Sequence, residues 1–139
     1  MKSIMIVVTL FVAIWDWFTT TVGAITLFAA TEIFQLIFCG IVGLMFSMVI
    51  LMTPNVFRTE HIAQRILLFP SWFAIAFVSL FTTFKGNVAV AKYSNPWRAT
   101  ADLGQLVAGL DAEKIALVSL TTLFVFCSVV ALAYLLDDG

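Results

Sequence analysis

Asp16 is the residue best placed by type and position to do chemistry, because it is an acid set inside a long apolar run. A charge at membrane depth costs about 2.5–3.5 kcal/mol at a helix centre, and such a residue is functional by default. Thr19 and Thr20 follow one turn later on about the same face, where hydroxyls can help hold a cation or a proton. Asp16, Thr19 and Thr20 therefore form a candidate ion or proton pathway. The competing reading is structural: Asp16 is hydrated near the interface, or pairs with Lys85 at the same end of the membrane. Trp15 and Trp17 flank the acid, and tryptophans near the end of a span read as interface anchors, as do Trp97 and Arg98 further on.

No other constellation points to chemistry. His61 is the one histidine of the chain, and neither H-x-x-x-H nor paired C-x-x-C spacing occurs, so no metal and no haem is expected. No nucleophile–base pair, phosphate loop or carboxylate pair can be placed together, so the chain does not read as an enzyme, and no cofactor is expected. Cys39, Gly43 and Ser47 recur every four residues as a ridge of small side chains for close helix packing, with Cys127 and Ala131 as its counterpart.

The elements that must position these residues are membrane spans. Apolar residues make up 63% of the sequence and charged ones 11%, and mean hydropathy is +1.11, far from the roughly one-quarter charged content of soluble domains. From Ser3 to Thr53 only Asp16 and Glu32 are ionised, and about 20 apolar residues cross the hydrocarbon core, so that stretch crosses twice. The spans are expected at about Ile4–Thr21, Ile33–Met52, Ile66–Phe84 and Ile115–Leu136. The first ends at Gly23 and turns through residues 24–32. Thr59 is expected to cap a short surface helix with Ile62, Ile66 and Phe69 on one face, and Pro70 to kink or begin the third span. Thr100 caps a short interfacial helix carrying Leu103, Leu106, Val107 and Leu110, and Asp111 caps the last span. The net charge of −1 and the scattered basic residues exclude a nucleic-acid partner.

Two patterns recur in order. Phe18-Thr19-Thr20-Thr21-Val22-Gly23 returns 63 residues on as Phe81-Thr82-Thr83-Phe84-Lys85-Gly86. Phe38-Cys39-Gly40-Ile41-Val42-Gly43-Leu44 returns 88 residues on as Phe126-Cys127-Ser128-Val129-Val130-Ala131-Leu132. The expected fold is all-α: one four-helix transmembrane domain of two tandem hairpins, residues 1–55 and 56–139, with an interfacial insertion at 85–114. Tandem two-span units keep their topology, so they are related by a pseudo-twofold axis along the membrane normal.

This architecture implies a small integral membrane protein, expected in the inner membrane of a prokaryote with both termini cytoplasmic. Its expected partners are the lipid bilayer and either further copies of itself or other membrane subunits. The first functional expectation is a non-enzymatic subunit of such an assembly. The second is an ion- or proton-conducting oligomer with Asp16 lining the pathway.

Overall fold

The computed structural model describes residues 2–96 and 102–137. Its elements, all helical, are α1 (Lys2–Phe28), α2 (Ile33–Leu51), α3 (Thr53–Phe57), α4 (Ile62–Lys92), α5 (Leu103–Val107) and α6 (Ala112–Asp137). The helices α1, α2, α4 and α6 are long and apolar enough to cross a membrane. Lipid offers the backbone no hydrogen bonds, so an apolar chain of this length satisfies its N–H and C=O groups within helices.

Two apolar clusters fix how the helices run. At one end Ile50, Val56, Trp72, Ala76 and Val129 pack together with Ala13 against them. At the other, Val22 meets Val88, Ala89, Leu106 and Val118. The early part of α1 thus lies with the end of α2, the start of α4 and the end of α6, so α1 and α4 run parallel and α2 and α6 run opposite to them. The Arg58–Asp137 ion pair ties the α3–α4 link to the end of α6 at the first of these ends.

Several helix limits differ from those read in the sequence. Gly23 does not stop α1. The helix continues to Phe28, and Ala29, in the left-handed region at φ 48°, makes the turn instead. The side-chain oxygen of Gln35 then accepts the N–H groups of Thr31 and Glu32 at 3.0 and 3.2 Å. Pro70 does not begin a helix: α4 runs through it from Ile62, and the stretch holding Ile62, Ile66 and Phe69 is the start of that helix rather than a separate surface helix. Thr59 is not its cap, because its hydroxyl donates back to the Asn55 carbonyl at 2.7 Å. With no breaker before Ser94-Asn95-Pro96, α4 runs past Lys85 to Lys92. Asp102 caps α5 by accepting the Gln105 N–H at 2.7 Å, while Thr100 lies outside the described residues. Lys92 Nζ donates to the Gln105 and Ala108 carbonyls at 2.6 Å each, fastening α5 to the end of α4.

Gly23 and Gly86 instead serve the crossing of α1 and α4. A Cβ built on Gly23 would lie 1.8 Å from the Thr82 carbonyl oxygen, and one on Gly86 would lie 1.8 Å from that of Thr19. The two glycines therefore point a Cα hydrogen at each other's helix, in the small-xxx-small manner that lets membrane helices approach. Alanine at either site has to push the backbones apart, which costs about 1–3 kcal/mol. Gly40 has open space where its Cβ would be. Equilibrium unfolding in detergent should show both Gly23→Ala and Gly86→Ala losing stability on that scale, with Gly40→Ala within about 0.5 kcal/mol of the unsubstituted chain.

Candidate functional site

Asp16 lies near the middle of α1, because that helix runs a further turn and a half beyond the expected end of the span. The residue is 2% exposed. Its Oδ2 accepts from the Ser47 hydroxyl at 3.0 Å and its Oδ1 from the Thr83 hydroxyl at 3.2 Å. Thr83 is in turn 2.8 Å from the Thr20 hydroxyl. One connected chain of side chains, Ser47–Asp16–Thr83–Thr20, thus joins α2, α1 and α4 inside the bundle.

The four threonines of the two matched segments divide into two roles. Thr20 and Thr83 bond across the helix crossing. Thr19 and Thr82 turn back onto their own helices. The hydroxyl of Thr19 reaches the carbonyls of Trp15 and Asp16 at 2.9 and 3.2 Å, and that of Thr82 those of Val78 and Ser79 at 2.9 and 3.0 Å. Such back-bonding keeps a hydroxyl satisfied in an apolar setting. Of the three proposed pathway residues, Asp16 and Thr20 are brought together through Thr83, whereas the Thr19 hydroxyl is committed to backbone.

The Asp16–Lys85 pair is not formed. Among the described residues no cation lies within salt-bridge distance of Asp16, and Lys85 places its Nζ 5.9 Å from the centre of the Phe81 ring. The physical reason is the direction of the two side chains: Asp16 faces back down α1 toward Ser47, and Lys85 lies more than a turn further along the parallel α4. Nor do Trp15 and Trp17 sit at a helix end as anchors. Both are mid-helix, and their indole N–H groups are used within the chain, Trp15 on Asn87 Oδ1 at 3.3 Å and Trp17 on the Gly40 carbonyl at 3.0 Å. Trp97 and Arg98 lie outside the described residues.

Cys39, Gly43 and Ser47 are all buried on the face of α2 toward α1. Gly43 packs on Thr21, and Cys39 clusters with Ala24, Ile25 and Ala30. Cys127 and Ala131 are not their counterpart, since both are exposed. Cys127 lines a groove with Phe57, Trp72 and Tyr134, at the opposite end of the bundle from Cys39. The apolar match between the two segments reflects shared composition, and the helical register places them on different faces. The cysteines are free thiols.

Sequence reasoning missed Asn87 and Thr122, whose side chains bond at 3.0 Å between α4 and α6. The spacing gave no signal for them, because Asn87 falls beyond the expected end of the third span at Phe84 and Thr122 stands in a last span of mostly apolar residues. Ser79, which stands where Asp16 does in the matched segment, carries a buried hydroxyl without a hydrogen-bond partner. Among the described residues no group of three or more His, Cys, Asp or Glu could hold a metal. Comparison with protein families, with curated proteins and with solved structures returns no match.

Thr83, like Asp16, makes two of the three bonds in this chain, and Thr20 makes one, so removing Thr83 costs more than removing Thr20. Interhelical bonds in membranes average about 0.6 kcal/mol and reach about 1.7. Thr83→Val should cost roughly 1–2 kcal/mol and Thr20→Val about half of that, and a double-mutant cycle on Thr83 and Asp16 should give coupling of at least about 0.5 kcal/mol.

Proposed function

We propose that this chain is a non-enzymatic membrane protein that works as a subunit of an assembly, built from its own copies or with other membrane proteins. The observation that carries this reading is the enclosure of Asp16. The acid is spent within its own chain, both carboxylate oxygens taken by Ser47 and Thr83. What remains outward is apolar side chain, including Phe11, Phe34 and Phe77 at 70%, 82% and 70% exposure. A protein whose membrane-depth acid turns inward meets the lipid and other helices through apolar packing. A conducting oligomer with Asp16 ringed about a shared axis is the weaker reading, because such a ring needs the carboxylate on an outer face.

We also infer that the two hairpins are tandem copies with a pseudo-twofold axis between α1 and α4. Gly23 on Thr82 mirrors Gly86 on Thr19, the back-bonds of Thr19 and Thr82 match, and the Thr20–Thr83 bond lies where such an axis would pass. In this scheme the partner of Cys39 in α6 is Thr122 rather than Cys127. The short α5 then belongs to the insertion of the second copy, lying at the membrane surface with Leu106 buried beneath it.

Native mass spectrometry from mild detergent tests the subunit reading. The expected spectrum shows a defined multimer or a co-purifying partner. A strictly monomeric species, also uncrosslinked in its native membrane, contradicts it.

A further inference from the structure

The hydrogens around Asp16 can be counted, since each hydroxyl has one to give. Ser47 gives its hydrogen to Oδ2 and Thr83 gives its own to Oδ1. The short Thr20–Thr83 contact must then use the hydrogen of Thr20. With Asp16 as a carboxylate the chain runs one way, from Thr20 to Thr83 to Asp16, with Ser47 donating from the other side. In that state Ser79 is left over, a hydroxyl 1% exposed and without a partner.

A proton on Asp16 changes the count in a way that uses every group. Placed on Oδ2, it is donated to Ser47, whose own hydrogen is freed. Ser47 also lines a groove of about 200 Å³ between α1 and α2, but the other walls, Ile14, Trp17, Leu44 and Met48 among them, give the freed hydrogen no acceptor. Placed on Oδ1, the proton is donated to Thr83, Thr83 donates to Thr20, and the Thr20 hydrogen needs an acceptor. Ser79 is one turn before Thr83 on α4, as Asp16 is one turn before Thr20 on α1. In the tandem arrangement inferred above, on which this step rests, Ser79 stands to Thr20 as Asp16 stands to Thr83, and its hydroxyl has no other partner.

The geometry points to a proton-binding site in the bundle core, in which Asp16 takes up a proton on Oδ1, Ser47 keeps its bond to Oδ2 and the Thr83–Thr20 chain reverses onto Ser79. The transfer is a simple acid–base step: a hydronium ion gives its proton to the carboxylate and leaves as water, and on release the carboxylic acid returns the proton to water. A metal cation is the wrong occupant, because hydroxyl hydrogens rather than lone pairs face the carboxylate. Nothing charged competes for the role. The side chains bonded to Asp16 are Ser47 from α2 and Thr83 from α4, and α6 contributes no charged or titratable group to it among the described residues. This site lies beyond the subunit reading and is independent of it.

Infrared difference spectroscopy of the full chain in liposomes, titrated over the pH range in which circular dichroism stays helical, reads the carboxyl directly. The expected spectrum contains a reversible carboxylic-acid C=O stretch that is absent from Asp16→Asn and from Asp16→Ser, the latter installing the residue found at position 79. Ser79→Ala should move that band to higher frequency by weakening the chain, and Ser47→Ala should shift it as well by removing the donor to Oδ2. The proposal is overturned by an acid band that never appears while the protein is helical, or by one that neither Ser79→Ala nor Ser47→Ala alters. A protein found to be monomeric leaves this result untouched.

Discussion

The close crossing of α1 and α4 is the contact on which the rest of the molecule depends. Helices in lipid gain nothing from hiding apolar surface from one another, so backbone approach and the polar bonds it permits decide which pairs associate. Glycines at 23 and 86 bring each helix against a threonine carbonyl of the other. That approach is what lets hydroxyls as short as those of Thr20 and Thr83 meet at 2.8 Å, and it brings Thr83 within reach of Asp16. The outer helices then pack where this central pair leaves ridges: α2 lays Gly43 on Thr21 and Ser47 on Asp16, and α6 lays Thr122 on Asn87.

An acid in this position needs an offsetting reason to persist. Two hydroxyl bonds recover only part of the roughly 2.5–3.5 kcal/mol that an ionised aspartate costs at a helix centre. Ser79, 63 residues further on, carries no charge, and Gly23 packs on Thr82 as Gly86 packs on Thr19. What the acid adds is a bond to Thr83 across the crossing and one to Ser47, and with them a polar tie between the central pair and α2.

The number of spans was legible in the sequence because uninterrupted apolar length is itself the physical requirement. The ends were less so. Gly23 and Pro70 look like breakers, yet in a chain without competing water a glycine can serve packing and a proline can be carried within a helix. The third span was expected to end at Phe84, but α4 runs on to Lys92, because polarity, turn propensity and proline coincide only at Ser94-Asn95-Pro96. The recurrence at Phe18–Gly23 and Phe81–Gly86 carried real information, since both segments make the same contacts. That at Cys39 and Cys127 did not, because Phe, Val and Leu match anywhere in so apolar a chain and only the helical face separates a packed cysteine from an exposed one. Ser47 was read as a small packing residue, and its bond to Asp16 depends on the rotation of α2, which spacing alone does not define.

Cysteine cross-linking at the crossing tests this account most directly. In a background with Cys39→Ala and Cys127→Ala, Thr20→Cys paired with Thr83→Cys should form a disulfide within one chain under mild oxidation, whereas Thr20→Cys paired with the outward-facing Phe77→Cys should not. The threonine hydroxyls at these sites are 2.8 Å apart, so sulfur atoms put in their place fall within reach of one another. Efficient intrachain closure of the first pair alone is the predicted result. Cross-links only between separate chains, or equal closure of both pairs, would place α1 and α4 elsewhere and contradict the account.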